Sequence, residues 1–162
     1  WRPWHEKLTA VLDDTAVKLV VDCHSMAAVG PAAYDDPDVL RPRVSSSNLG
    51  DEQGEPRENW AHISAPPQAA RFFGRRLGEL LADIPDLAPT GEPYAINQPY
   101  LGGWGMRIYG GVYKPWLMVE LNRGLYIGRQ EGDSPIVPPN RALLGQLRDR
   151  VWQAIVEVLD YL

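Results

Sequence analysis

Alternating helical and strand patterns predict that this chain folds as an α/β domain. Helical periodicity, with apolar residues three or four positions apart, occurs near the start, in the middle and at the end of the sequence. Two runs rich in apolar residues are typical of core strands: VKLVVD (17–22) and WLMVELNRGLYI (116–127). Strands this apolar usually lie in sheets that helices cover on both faces. The 162 residues suffice for one hydrophobic core, and we expect a single domain over residues 1–162.

The N-terminal part predicts a helix that leads directly into the first core strand. The apolar face of this helix, residues 4–16, contains Trp4, Leu8, Val11 and Leu12. His5 adjoins that face, and we expect it to be structural. The strand over residues 17–22 follows, and four polar or reactive residues come where it ends: Asp22, Cys23, His24 and Ser25.

The remaining elements follow from local patterns. Residues 27–67 have little periodicity, which is typical of a long functional loop, although residues 43–49 are compatible with a short strand. A helix is predicted over residues 68–81, and residues 94–110 combine a short strand with a glycine-rich, aromatic loop. The last helix is predicted over residues 140–162, with Asn140 as its N-cap after two prolines.

Composition excludes several classes of function. The net charge of −5 argues against general affinity for nucleic acid. One cysteine excludes an internal disulfide, and no apolar run reaches the 18 residues or so that a membrane span requires. No basic segment followed by an apolar stretch opens the chain, so we expect a cytoplasmic protein.

His24 is the first candidate for chemistry, because a histidine at the end of a core strand faces the crevice where α/β sheets build their sites. Side chains alternate along a strand, so Asp22 shares the face of His24 and can orient its imidazole. Cys23 points the other way, and we expect it to pack into the core. A histidine hydrogen-bonded into the loop is the alternative interpretation.

Glu120 is the second candidate. Within the strand it shares a face with Met118 and Asn122, and burial of a carboxylate is costly unless the group is paired or used. Burial also raises its pKa, which suits a general base near neutral pH. An ion pair with Arg123 or Arg107 is the alternative.

The glycine-rich stretch NQPYLGGWGMRIYG (97–110) is the third candidate. Its glycines permit positive φ and close approach of the backbone to a ligand. Arg107 can hold a carboxylate with two hydrogen bonds. The spacing is not that of a phosphate-binding loop, so nucleotide binding is rejected, whereas a plain surface turn stays open.

Four segments in order resemble the N-formylglutamate amidohydrolase family: VDCHSM (21–26), LGDEQGE (49–55), NQPYLGGWGMRIYG (97–110) and VELNRGLYI (119–127). The opening WRPWHEKL is also similar to that family's helix before the histidine strand. The resemblance implies a fold like that of zinc carboxypeptidases, a mixed sheet flanked by helices. It also implies hydrolysis of N-formylglutamate, a small-molecule N-acyl amino acid substrate, to glutamate and formate.

The resemblance implies roles for particular residues. His24 would be a zinc ligand, Asp22 its support, and Glu120 the general base and acid. The substrate-binding residues would be Asn97, Tyr100, Arg107, Tyr109 and Ser25.

The family's Pro-His-Ser-Gly and Asp-x-Asn-Arg segments do not occur in this sequence, which begins at Trp1. We therefore expect a fold incomplete at the N-terminus, the C-terminal part of a catalytic domain whose other zinc ligands precede Trp1. A sheet edge left open in this way would favour a homodimer. Two alternatives stay open: a zinc deacylase for acetyl or succinyl substrates, and a non-catalytic fragment without a complete metal site.

Overall fold

The computed structural model describes residues 2–128 and 138–162. Within these residues the helices are α1 (Arg2–Leu12), α2 (Pro67–Leu80), α3 (Trp104–Tyr109) and α4 (Arg141–Val158). The strands are β1 (Val20–Met26), β2 (Val44–Ser47), β3 (Ala95–Ile96) and β4 (Trp116–Asn122). Short 3₁₀ turns cover Arg123–Leu125 and Leu159–Tyr161.

The strands form one mixed sheet in the order β1-β4-β2-β3. β4 is an inner strand, parallel to β1 and antiparallel to β2, and β3 runs parallel to β2. Every residue of β4 except the half-buried Leu121 is buried. The most apolar strand therefore lies inside the sheet, whereas β1 lies at its edge.

Helices cover the two faces of the sheet with separate hydrophobic clusters. On the α2/α4 face, side chains of β4 such as Leu117 and Val119 pack with Phe73 and Leu77 of α2 and Leu147 of α4. The other face, which we call the His24 face, carries a smaller cluster. It contains Leu12, Leu49, Met106, Tyr109, Trp116 and Met118, with Leu8 and Tyr100 packed against it. The sheet with helices on both faces confirms the predicted α/β class.

The predicted helices at 4–16, 68–81 and 140–162 are confirmed as α1, α2 and α4, with ends that differ by one to four residues. Asn140 caps α4, because its side-chain oxygen accepts a hydrogen bond from the Leu143 amide at 3.1 Å. The strand expected within residues 43–49 is confirmed as β2.

Four local expectations were wrong. The strand expected over residues 116–127 ends at Asn122, because a 3₁₀ turn follows at Arg123–Leu125. The first strand begins three residues later and ends four residues later than expected, since pairing with β4 continues to Met26 opposite Asn122. The stretch expected to be a glycine-rich loop contains α3. Cys23 does not pack into the core: it is exposed, because β1 is the edge strand and the helices do not cover it there.

An apolar groove of about 410 Å³ lies between α4 and the end of β4, on the α2/α4 face. Its walls include Leu121, Leu144 and Trp152. In the part of the chain described here, no helix combines the length and the hydropathy that crossing a bilayer requires.

The α2 packing leads to a stability prediction. Leu77→Ala removes a fully buried side chain of the main cluster and is expected to lower the free energy of unfolding by about 2–5 kcal/mol. Leu87→Ala, the same change at a residue that is 54% exposed, is the matched control and is expected to cost under about 0.5 kcal/mol. Urea unfolding measures both, and equal losses would contradict this account of the core.

Candidate active site

The pairing of β1 with β4 places His24 directly opposite Glu120. Neighbouring strands lie about 4.8 Å apart, and paired residues of a parallel ladder project to the same face. Asp22 lies opposite Met118 in the same register, so it shares that face. The predicted alternation of Glu120 with Val119 and Leu121 is also present. The two residues on which the functional hypothesis depends are therefore neighbours.

Asp22 orients the imidazole of His24. The Nε2 atom of His24 lies 2.9 Å from Oδ1 of Asp22. With Nε2–H donating to this carboxylate, the lone pair of the neutral ring lies on Nδ1. Both side chains are part-exposed, 47% for His24 and 33% for Asp22, so the imidazole can meet a ligand from solvent.

Glu120 is a buried carboxyl group with an unsatisfied atom. The residue is 6% exposed, and among the described residues its Oε2 has no hydrogen-bond partner. Burial raises the pKa of Glu120, and the nearby charges of His24 and Arg41 oppose that shift. A carboxyl group with a raised pKa can take up and return a proton near neutral pH.

Arg41, which the sequence analysis missed, supplies a cation at this site. It is 2% exposed, and its Nε and Nη2 donate to the two oxygens of Asp36 at 2.7 and 2.8 Å. Its Nη1 donates to the hydroxyl of Tyr100 at 2.8 Å. Burial raises the pKa of the Tyr100 phenol, and the charge of Glu120 adds a smaller upward contribution.

Arg107 was expected to hold a carboxylate with two hydrogen bonds, but it is not an arginine whose charge acts on Glu120. Arg107 is exposed in the last turn of α3. The arginines whose charge lowers the Glu120 pKa are Arg41 and Arg123. This segment was expected to be a loop rather than the helix α3, so the sequence did not indicate that Arg107 would face solvent.

The side chain of Asn97 is engaged within the protein rather than directed at a ligand. It is 4% exposed, and its Nδ2 donates to Oδ1 of Asn48 at 2.9 Å and to the carbonyl of Asp51 at 2.6 Å. Its Oδ1 accepts from the Asn48 amide at 2.9 Å. The residue has a positive φ of 56°, a conformation that asparagine tolerates well. Asn97 therefore fixes the loop after β3.

Two further predicted substrate residues lie away from Glu120 or are otherwise engaged. Ser25 pairs with Leu121, so it projects to the α2/α4 face, opposite to His24 and Glu120. Tyr109 is buried, and its hydroxyl is hydrogen-bonded to Nδ1 of His5. This bond and the ring contact with Trp104 agree with a structural His5.

The glycine-rich segment does approach the site closely. Gly102 has a positive φ of 136°, and a Cβ there would come within 2.9 Å of both Met106 and Leu49. A Cβ on Gly103 would lie 3.5 Å from Oδ2 of Asp22. The expectation that a glycine here permits positive φ is confirmed at Gly102, whereas close approach of this backbone to a ligand stays a prediction.

The described residues do not form a complete metal site. In residues 2–128 and 138–162, no group of three or more His, Cys, Asp or Glu side chains could hold a metal ion. A catalytic zinc requires three protein ligands, and His24 can supply one through Nδ1. The described residues therefore offer one candidate zinc ligand but not the set of three that a zinc centre requires.

The buried carboxyl of Glu120 predicts a dependence of stability on pH. Its pKa is raised on folding, so the ionised group destabilises the fold above its unfolded pKa of about 4.3. Glu120→Gln is therefore expected to raise the free energy of unfolding at pH 7, because the amide has no charged form to bury. The gain should vanish below about pH 4, where the carboxyl is protonated in both states. Urea unfolding at both pH values measures it.

Glu157→Gln is the control with the opposite sign. Hydrogen bonds from Arg76 and Gln153 lower the pKa of Glu157 to about 2. Its contribution to stability is present above its unfolded pKa of about 4.3 and is lost as the pH falls towards 2. Glu157→Gln should therefore destabilise at pH 7. A destabilised Glu120→Gln protein at pH 7 would contradict the burial argument.

Comparison with known proteins identifies the family. Neither curated proteins nor solved structures yielded a match. The family model described as N-formylglutamate amidohydrolase matches residues 1–127, more than three quarters of the chain. The matched residues include β1 and β4, and thus His24, Glu120 and Arg41. The chain belongs to the N-formylglutamate amidohydrolase family.

Proposed function

We propose that the protein hydrolyses the amide of N-formylglutamate, releasing formate and glutamate. Membership of the family supports an amidohydrolase. The observation that carries the proposal is the pair formed across β1 and β4, a buried, unsatisfied carboxyl opposite a part-exposed imidazole. One group can move a proton and the other can bind a metal or polarise the substrate.

The residues suggest how the reaction would proceed. Glu120 would take a proton from the attacking water as its oxygen bonds to the formyl carbon. The same carboxyl would then give that proton to the amine nitrogen as the carbon–nitrogen bond breaks. Asp22, by accepting from Nε2, would keep His24 turned so that Nδ1 faces outward.

We propose zinc as the cofactor, with Nδ1 of His24 as one ligand. When bound, zinc supplies an acidified water and a polarised carbonyl. Its other ligands would have to come from residues other than those described, since these form no three-residue metal cluster. The proton steps assigned to Glu120 depend on this chain's own carboxyl.

Replacing the proposed base tests the mechanism. In the complete gene product, Glu120→Gln keeps the shape of the side chain but cannot accept the proton. We expect turnover of N-formylglutamate to fall by about 100-fold or more. The measurement is formate release, and near-normal turnover would refute the assignment.

Glu79→Gln is the control in the same assay, because Glu79 is an exposed residue of α2 paired with Arg75 and Arg76. It should leave turnover unchanged. Running N-acetylglutamate and N-succinylglutamate alongside separates the formyl substrate from the acyl alternatives.

Metal content tests the role of His24. We expect His24→Ala to lower the zinc bound per chain of the complete gene product by about 10-fold or more, because a ligand is lost. His62→Ala, in the loop before α2, is the control and should retain zinc. Zinc is measured by atomic emission after gel filtration, and unchanged zinc in the His24 variant would remove it from the site.

A further inference from the structure

Arg41 has hydrogen-bonding capacity that the described residues do not use. A guanidinium carries five N–H groups. Three of them donate to the two oxygens of Asp36 and to the hydroxyl of Tyr100. Two N–H groups of a side chain that is 98% buried are thus left for a partner other than the described residues. Each of the three nitrogens of Arg41 has one partner, and the two remaining N–H groups are capacity that a ligand can use.

The guanidinium is held rigidly. Its central carbon lies 5.2 Å from the ring centroids of both Tyr34 and Tyr100, two rings that also contact each other edge-to-face. The main chain of Arg41 is also fixed, because its amide donates to Ala28 at 2.9 Å and its carbonyl accepts from Asn122 at 3.0 Å. Asp36 occupies the Nε edge of the group. A cation this well positioned loses little entropy when it binds a ligand.

Arg41 belongs to the same cluster as Glu120. Asn122, which anchors its carbonyl, is two residues from Glu120 on the same face of β4. Tyr100 accepts a hydrogen bond from Nη1 of Arg41, and the charge of Glu120 contributes to raising the pKa of its phenol. The cluster therefore joins spare donors on Arg41, an unsatisfied acceptor on Glu120 and a phenol. Since the Tyr100 oxygen accepts from Arg41, its own proton is left to donate.

We propose that Arg41, together with the Tyr100 hydroxyl, binds a carboxylate of the substrate and thereby selects acidic N-acyl amino acids. The inference rests on the proposed function and identifies the residue that sets its specificity. A planar guanidinium matches a carboxylate with two parallel hydrogen bonds, which a point charge cannot reproduce. A neutral side chain in the substrate would leave these buried donors unpaired.

The test compares substrates that differ only in charge. In the complete gene product, Arg41→Gln and Arg41→Lys are assayed with N-formylglutamate and with its two monoamides, one blocked at each carboxylate. We expect kcat/KM for N-formylglutamate to fall by about 100-fold, mainly through KM. For the monoamide that lacks the bound carboxylate, the change should be under about 3-fold. Equal losses on all three substrates would show a structural role and overturn the proposal.

Arg43→Gln is the matched control. Arg43 is also a largely buried arginine, 14% exposed, but both of its Nη groups are engaged, with Asp86 and with the carbonyls of Leu81 and Ile84. Its loss should lower the melting temperature without changing the preference among the three substrates. If Arg41→Gln does not fold, the Arg41→Lys protein, which keeps a charge but not the planar fork, decides the outcome.

A binding measurement separates failure of this inference from failure of the proposed function. Glutarate, a dicarboxylate without an amide, is titrated calorimetrically into the wild-type, Arg41→Lys and Arg43→Gln proteins. We expect binding at least about 10-fold weaker in the Arg41 variant alone. A wild-type protein that hydrolyses no formyl amino acid yet shows this pattern would refute the reaction and keep the carboxylate site. Absence of glutarate binding, or equal binding in all three proteins, would overturn the inference.

Discussion

The register between β1 and β4 is the constraint on which the site depends. It sets His24 against Glu120 through backbone hydrogen bonds alone, without any direct contact between the two side chains having to form. Parallel ladders hold paired residues on one face, so the geometry is rigid as long as the strands stay in register. The surrounding cluster adds to this frame: Asp22 turns the imidazole, and Arg41 approaches from the loop after β1.

The position of β4 inside the sheet explains the chemical character of Glu120. An inner strand between two neighbours is removed from water, and a carboxyl placed there has its charged form disfavoured. The nearby positive charges of Arg41 and Arg123 partly oppose this rise in the pKa of Glu120. Edge strand β1, in contrast, leaves His24 part-exposed. The carboxyl proposed to transfer the proton is thus buried, the imidazole proposed as a metal ligand is accessible, and the difference arises from strand order.

Sequence patterns predicted those parts of the molecule that depend on local periodicity. The three long helices, the inner strand and the alternation that separates Glu120 from Val119 all follow from residue spacing. Asp22 was correctly paired with His24 for the same reason. Arg41 could not be found this way, because it lies in an irregular segment and is brought to Glu120 by long-range packing. Its only local signal is the aromatic and acidic stretch just before it, Tyr34–Asp36, which becomes meaningful once the chain has folded.

The directions of the Asn97, Arg107 and Ser25 side chains could not be predicted from the sequence, for a common physical reason. Their residue types suit ligand binding, but each one's direction is decided by structure that periodicity does not report. A positive φ and a partner amide turn Asn97 inward, a helix turns Arg107 outward, and one step along β1 turns Ser25 to the other side.

Successive side chains of β4 point to opposite faces of the sheet, and the two sets have different surroundings. Side chains at even positions, such as Met118 and Glu120, lie on the His24 face, and those at odd positions, such as Leu117 and Val119, pack against α2 and α4. A shift of the strand by one position would exchange the two sets of side chains. It would place the Glu120 carboxyl in the apolar cluster under α2 and α4 and the aliphatic side chains on the His24 face. Residues inserted between α3 and β4 would thus be tolerated only if they lengthen the loop before Trp116 and leave the register of β4 with β1 unchanged.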